Sequence, residues 1–165
     1  MEITILELKK KLKEIEDDKS KLYHKLSSAD VIKYSNKDDR QLALDLKTEF
    51  TMIDVLQNIE DLNKQERVLR KALSNANLRT ETSLGITIAE ALVNLAQDQR
   101  FAHEIATSLP RSRTKLDVNY QGQYTEYLYD FDTVDYILNG LQSEITTLQM
   151  AIDVANASTI VHIDE

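Results

Sequence analysis

The amino-acid sequence predicts a mainly α protein: an antiparallel four-helix bundle made by internal duplication of a helical hairpin, with short β-strands or a β-hairpin at one end. Three observations lead to this fold class. The two halves of the chain repeat each other, four segments carry apolar residues on one helical face, and only three Gly and one Pro occur in 165 residues. The length fits a single domain, 1–165, with copies of about 1–83 and 84–165.

The duplication is visible as two pairs of matching segments. Residues 3–7 (Ile-Thr-Ile-Leu-Glu) return as 86–90 (Ile-Thr-Ile-Ala-Glu), 83 positions later. Residues 69–80 return as 148–159, 79 positions later. In repeat architectures each unit buries the apolar face of its neighbour, so the repeat predicts the fold and leaves the function open.

Four apolar stripes with alternating spacings of three and four residues define the helices. Such a stripe cannot be shielded by its own helix and requires a facing one. In chain order the stripes are Ile5, Leu8, Leu12, Ile15, Lys19, Leu22, Leu26; Val55, Ile59, Leu62, Glu66, Leu69, Leu73, Ala76; Ile88, Leu92, Leu95, Gln99, Ala102, Ala106, Leu109; and Val134, Leu138, Leu141, Ile145, Leu148, Ile152, Ala155.

The first and third helices each begin with a predicted capping box. Thr4 with Glu7, and Thr87 with Glu90, have the Thr-x-x-Glu spacing in which a hydroxyl and a carboxylate satisfy free backbone N–H groups. Pro110 predicts the end of the third helix.

The second and fourth helices are predicted to differ in length. The second runs over 41–76, about 54 Å at the α-helical rise, with Asp38 or Asp39 as its N-cap. The fourth runs over 133–155 with Asp132 as its N-cap. This difference predicts that the longer helix supports the long connection before the fourth helix.

In each copy an Ala-Asn pair is predicted to end a helix. Asn77 and Asn156 occupy matching positions where Asn tolerates the left-handed conformation. The β-prone segments that follow, 79–83 and 159–163, are predicted to pair with each other as a small ribbon.

The connection 110–131 carries the candidate partner-binding residues. Alternation over 125–131 predicts a strand, and Gln121 with Gly122 predicts a hairpin turn. One interpretation is a surface for a protein partner or single-stranded nucleic acid, with tyrosines beside three cations. The other is a hairpin whose tyrosines cover the end of the bundle, which the packing role of aromatic rings favours. The candidate residues are Arg111, Arg113, Lys115, Tyr120, Tyr124, Tyr127 and Tyr129.

Three polar residues interrupt the apolar stripes. Lys19, Glu66 and Gln99 stand where the pattern expects apolar side chains. Single polar residues in a helical core can fix the register of packed helices. The alternative is a position at the rim, with the stem buried and the polar head in water.

No pattern predicts catalytic residues, a cofactor or a metal. The chain has no Cys, no His follows Glu by three residues, and the three Gly stand apart from one another. We therefore expect no enzymatic activity and no bound cofactor.

Charge and hydropathy restrict the partners. The net charge is −8, and residues 79–165 hold 5 basic against 13 acidic residues, which disfavours a nucleic-acid partner. No segment is apolar enough to span a membrane and the N-terminus has no signal-peptide pattern, so we expect no membrane association and a cytoplasmic location.

Two segments resemble the septicolysin-like family of uncharacterised small bacterial helical proteins. The first is Ile-Ala-Glu-Ala-Leu-Val-Asn-Leu-Ala-Gln-Asp-Gln-Arg over 88–100, preceded by Asn77-x-x-Thr80 and Gly85. The second runs over 148–159 as Leu-x-x-Ala-Ile-Asp-x-x-Asn-x-x-Thr. The resemblance covers most of the chain and implies a helical bundle with short strands that self-associates. It implies no catalytic residues.

These observations predict a non-catalytic interaction or scaffold protein that self-associates as a homodimer, with room for an unidentified protein partner. The reason is that the second helix carries apolar residues on more than one face. The alternative is a nucleic-acid or small-ligand binder that uses the tyrosine-rich hairpin between Arg111 and Tyr129. The apolar residues of the second helix outside the main stripe are Leu42, Leu46, Phe50, Met52, Ile53 and Leu56.

Overall fold

The computed structural model describes residues 1–26, 37, 51–109, 116–118, 122 and 124–163. Four helices and four short strands lie within these ranges. The helices are α1 (Ile5–Leu26), α2 (Met52–Arg79), α3 (Ile88–Ser108) and α4 (Phe131–Ser158), and the strands are β1 (Glu2–Thr4), β2 (Leu116–Val118), β3 (Tyr124–Glu126) and β4 (Ile160–His162). The predicted fold class, a mainly α helical bundle with short strands, is confirmed.

The chain forms two compact units. Unit 1 comprises Met1–Ala76 and Asn156–Glu165, and unit 2 comprises Asn77–Ala155. Each unit therefore holds the helical pair of one copy and the last residues of the other copy. The assignment of 1–165 to a single domain stays a prediction.

The helix boundaries repeat with the offsets seen in the sequence. α2 and α4 are both 28 residues long, and both their first and their last residues are 79 positions apart. α1 and α3 begin 83 positions apart. The predicted difference in length between the second and fourth helices is therefore wrong, because α2 begins at Met52 and α4 extends beyond 133–155 at both ends. The predicted start at 41–50 and the predicted caps Asp38 and Asp39 lie outside the described residues.

Capping hydrogen bonds just before α2 and α4 explain where these two helices begin. Before α2, the Thr51 hydroxyl accepts from the Asp54 N–H at 3.2 Å, while the Asp54 carboxylate accepts from the Thr51 N–H at 3.1 Å. Before α4, the Asp130 carboxylate accepts from the Thr133 N–H at 3.1 Å and from its hydroxyl at 2.6 Å. These positions are equivalent in the two copies, with Thr and Asp exchanged. Asp132, the predicted cap, lies instead in the first turn of α4.

The two predicted capping boxes are confirmed. The Thr4 N–H donates to the Glu7 carboxylate at 2.8 Å, and the Glu7 N–H donates to the Thr4 hydroxyl at 3.2 Å. Thr87 and Glu90 make the same two hydrogen bonds at 2.8 and 3.2 Å. These carboxylates accept backbone hydrogen bonds in their charged form, which lowers the pKa of both Glu7 and Glu90.

In each unit a short β pairing joins the residues before the first helix to a segment that follows a 28-residue helix. We call these two pairings the closures, and their partners differ from those predicted. In unit 1, β1 pairs antiparallel with β4, and Thr4 lies opposite Ile160. In unit 2, Glu81 forms an isolated antiparallel bridge with Thr87, the equivalent pair. The predicted ribbon between 79–83 and 159–163 is therefore wrong: each segment pairs with the residues that precede a helix start.

The backbone hydrogen bonds of the two closures also correspond. The Ile5 N–H donates to the Thr159 carbonyl at 3.1 Å, and the Ile88 N–H donates to the Thr80 carbonyl at 2.9 Å. In unit 2 the chain turns directly between these segments, with Gly85 at φ 75°, a conformation that glycine adopts without strain. The turn keeps the pairing local, which accounts for the choice of partner.

Asn77 and Asn156 do not end their helices in the left-handed conformation. α2 continues to Arg79 and α4 to Ser158. Asn156 is buried, and the Oδ1 atoms of both Asn side chains are buried without a hydrogen-bond partner in the part of the chain that the structure describes. The same polar atom is thus enclosed in both copies.

The buried residues follow the duplication more closely than the predicted third stripe does. Ala91 is buried and Leu92 is 37% exposed. The offset of 83 pairs Ala91 with the buried Leu8, so position 91 replaces 92 in the buried face of α3, while Ile88 and Leu95 are buried as predicted. The buried apolar residues are Ile5, Leu8, Leu12, Ile15, Val55, Ile59, Leu69, Val161 and Ile163 in unit 1, and Ile88, Ala91, Leu95, Val134, Leu148, Ala151, Ile152 and Ala155 in unit 2.

Candidate binding surfaces

The predicted hairpin between α3 and α4 is present. β2 pairs antiparallel with β3, from Leu116 opposite Glu126 to Val118 opposite Tyr124. Gly122 has φ 72° in the connection, which fits the predicted turn. The strand predicted over 125–131 ends at Glu126, because Asp130 caps α4 and the chain must leave the extended conformation before it.

Two of the candidate tyrosines pack against each other and against Phe131. The ring centroids of Tyr127 and Tyr129 are 5.8 Å apart, and those of Tyr129 and Phe131 are 5.3 Å apart in an edge-to-face arrangement. All three side chains are half-buried, and desolvation raises the pKa of the Tyr129 hydroxyl. The cluster lies at the start of α4, and the interpretation that the tyrosines cover the end of the bundle stays a prediction.

Tyr124 is different from the other two described tyrosines of the hairpin. Its side chain is 71% exposed, and Leu128 beyond it is 88% exposed. The remaining candidate residues, Arg111, Arg113, Lys115 and Tyr120, lie outside the described residues. The use of the hairpin as a binding element therefore stays a prediction.

A groove between α1 and α2 was not predicted. It encloses about 490 Å³ in unit 1 and has a mainly apolar lining with a few charged residues. The lining residues are Met1, Lys11, Glu14, Ile15, Asp18, Leu62, Gln65, Val68, Leu69 and Ile163.

Unit 2 has a groove of about 400 Å³ at the equivalent place between α3 and α4. All of its lining residues except Ser143 match a residue of the unit 1 groove when the offsets of 83 and 79 are applied. Its chemistry is more polar and acidic, since Asp98 and Glu144 replace Ile15 and Gln65. The duplication offsets relate the two grooves to each other, so the position of one predicts the position of the other. The lining residues are Leu84, Asn94, Gln97, Asp98, Ser143, Glu144, Thr147 and Leu148.

An ion network joins α1 to α2. Lys19 Nζ lies 2.7 Å from Glu66 Oε2, and these side chains are only 18% and 14% exposed. Arg70 contacts Glu66 at 2.6 Å and Glu16 of α1 at 2.7 Å. The hydrogen bonds from Lys19 and then Arg70 lower the pKa of Glu66.

The network agrees with the register interpretation for Lys19 and Glu66. A charged pair between two helices is satisfied only when the helices are aligned so that both groups meet. Gln99, the third interruption, is exposed on α3. In unit 2 the positions of Lys19 and Glu66 are taken by Ala102 and Ile145, so an apolar pair replaces the charged one.

Comparisons with known proteins find no matching protein family, curated protein or solved structure. The resemblance to the septicolysin-like family stays a prediction. Among the residues that the structure describes, no helix is both long and apolar enough to cross a membrane, and no group of three or more His, Cys, Asp or Glu could hold a metal ion.

Proposed function

We propose that this protein is a non-catalytic interaction protein that self-associates as a homodimer. The observation that carries the proposal is that both 28-residue helices present apolar side chains to solvent as well as to the core. On α2, Val55 and Ile59 are buried, while Met52, Ile53 and Leu56 are 46%, 61% and 46% exposed. On α4, Met150 and Val154 are both 63% exposed.

Exposed apolar side chains in rows along a helix favour a partner over water. Transfer of apolar surface from water stabilises a complex by about 25 cal/mol per Å² before the costs of association. For identical chains, a twofold dimer is the commonest way to cover such surface on both copies at once. The two grooves between the paired helices also offer space for side chains of an unidentified protein partner.

Multi-angle light scattering on the wild-type chain tests the proposal. We expect the measured mass to approach twice the chain mass of 18.9 kDa as protein concentration rises from low micromolar to the solubility limit. Because the proposed contact is apolar, the dimer should persist in 1 M salt, which screens charge interactions to about 3 Å. A monomer at all concentrations would contradict the proposal.

A further inference from the structure

One face of α4 carries a row of uncharged, exposed residues with heptad spacing, and two of them, Ser143 and Thr147, also line the unit 2 groove. We call Tyr136, Gly140, Ser143, Thr147, Met150 and Val154 the α4 outer stripe. All six are exposed, with Tyr136 at 81%. The Thr147 hydroxyl donates to the Ser143 carbonyl at 2.9 Å, so its hydrogen is used within the helix. The spacing of 4, 3, 4, 3 and 4 residues is that of a coiled-coil contact face.

The duplicated helix shows that the fold does not require this face to be neutral. On α2 the equivalents of Gly140, Ser143 and Met150 are Asp61, Lys64 and Lys71. Lys64 pairs there with Asp61 at 3.2 Å and with Glu60 at 3.3 Å, as on an ordinary solvated helix. Three of the six equivalent positions on α2 are thus charged, whereas none of the six is charged on α4.

We propose that α4 pairs antiparallel with α4 of a second copy, about a twofold axis near residue 145. This inference rests on the self-association proposed above and names its surface. In this register Gly140 faces Met150 of the partner and Ser143 faces Thr147, while the largest residue, Tyr136, faces Val154. Large side chains therefore meet small ones, as knobs meet holes, and the register follows from the sequence of α4 alone.

The self-complementary order of the stripe, and not its charge, points to a second copy as the occupant. Residues 79–165 hold 13 acidic and 5 basic residues, so two copies repel each other over most of this half. The α4 outer stripe contains no charge, and twofold pairing sets neutral residues against neutral residues. A parallel arrangement would instead set Met150 against Met150 and Gly140 against Gly140, which leaves one layer crowded and another empty.

Cysteine cross-linking tests the register, because the chain has no Cys of its own. Gly140→Cys and Met150→Cys chains are prepared with different tags, mixed and oxidised. We expect the mixed disulfide between the two variants to form faster than a disulfide within either variant alone. In the antiparallel register like positions are ten residues out of line, about 15 Å along the helix, too far for a disulfide. An Ile53→Cys chain on α2 is the matched control.

The outcomes separate this inference from the proposed function. Faster linkage of Met150→Cys or of Gly140→Cys to itself would mean a parallel pair and would overturn the register. A dimer by light scattering that links only through Ile53→Cys would overturn the α4 surface and leave self-association standing. A chain that is monomeric throughout would overturn both.

A charge substitution gives a second readout. Ser143→Lys introduces on α4 the residue that α2 already carries at Lys64, so the monomer should keep its melting temperature. We expect the dimer dissociation constant to rise about tenfold or more, because an unpaired ammonium would be buried at the contact. Ser74→Lys, on an exposed position of α2, should leave it unchanged. Equal dissociation constants for the two variants would overturn the proposal.

Discussion

Glu66 of α2 forms ion pairs with Lys19 of α1 and with Arg70 of its own helix. It accepts from Lys19 at 2.7 Å and from Arg70 at 2.6 Å, and these hydrogen bonds lower its pKa in the folded protein. A carboxyl whose pKa is lower in the folded state adds stability above its unfolded pKa. That stability is lost as the pH falls through the folded pKa. The contribution of Glu66 should therefore be present at neutral pH and vanish in acid.

We predict that Glu66→Gln lowers the free energy of unfolding by about 1–2 kcal/mol at pH 7, the range for hydrogen bonds to a charged group that keeps some solvent contact. The difference from the wild type should shrink in acid, as the pH falls through the lowered pKa of Glu66 and its carboxylate becomes protonated. Urea denaturation at several pH values measures both effects. Glu60→Gln, an exposed position on the same helix, should change little.

The other copy supplies a control for this prediction. Unit 2 has Ala102 and Ile145 at the positions of Lys19 and Glu66. Glu66→Ile alone leaves the Lys19 ammonium half-buried without its carboxylate, whereas the double variant with Lys19→Ala reproduces the apolar pair. The double variant should be the more stable of the two. If the single variant is equally stable, the pair does not align the helices.

Residue types alone could not settle these positions. The apolar stripes singled out Lys19 and Glu66, but the pattern could not show that these two side chains contact each other at 2.7 Å and are only 18% and 14% exposed. Asn77 and Asn156 were predicted from the tendency of Asn to end helices. The structure instead encloses their amide oxygens within helices that continue for two more residues. Tertiary burial overrides a local preference here.

At the scale of elements, the capping boxes decide where helices begin. Thr4 and Thr87 were predictable because Glu stands three residues after each. Thr51 was not predicted as a cap because Asp54 takes the place of the Glu or Gln that a capping box usually has. Without this cap, the second helix was predicted to begin at 41 instead of at Met52. Apolar periodicity continued through 41–50 and gave no sign of a start at Met52.

We predict that Thr87→Ala lowers the free energy of unfolding by about 1 kcal/mol, the usual cost of losing an N-cap side chain. Thr4→Ala should have a similar effect, since its hydrogen bonds have the same lengths. Thermal or urea denaturation measures both. Thr107→Ala is the matched control on α3, because the Thr107 hydroxyl bonds only within its own helix. A loss as large at Thr107 as at Thr87 would contradict the capping role.

At the scale of the whole molecule, the duplication was the most predictable feature and its closures the least. Similar segments at offsets of 83 and 79 predicted the two copies directly. The β-prone segments were recognised, but their partners depend on where the helix starts lie in space. The two grooves were not predicted for the same reason, since the apolar stripe of a helix does not determine its distance from the neighbouring helix.

The equivalence of the two closures predicts a tolerated circular permutation. Met1 and Ile163 pair through two hydrogen bonds of 2.9 Å, so the ends of the described chain already lie side by side. Joining residue 165 to Met1 by a short Gly/Ser linker and opening the chain between Ser83 and Leu84 exchanges one closure for the other. We expect an unchanged helical circular-dichroism spectrum and cooperative thermal unfolding. Opening the chain within α2, after Asn63, should abolish both.

The exchange of end segments between the units has a consequence for the ancestry of the gene. In the full chain the strand that pairs with β1 comes from the other copy. Two half-length chains, each with one copy of this sequence, could form the same pairings by exchanging their end segments. Such an exchanged pair is a simple precursor for the fused gene, with the turn at Gly85 near the junction of the two copies.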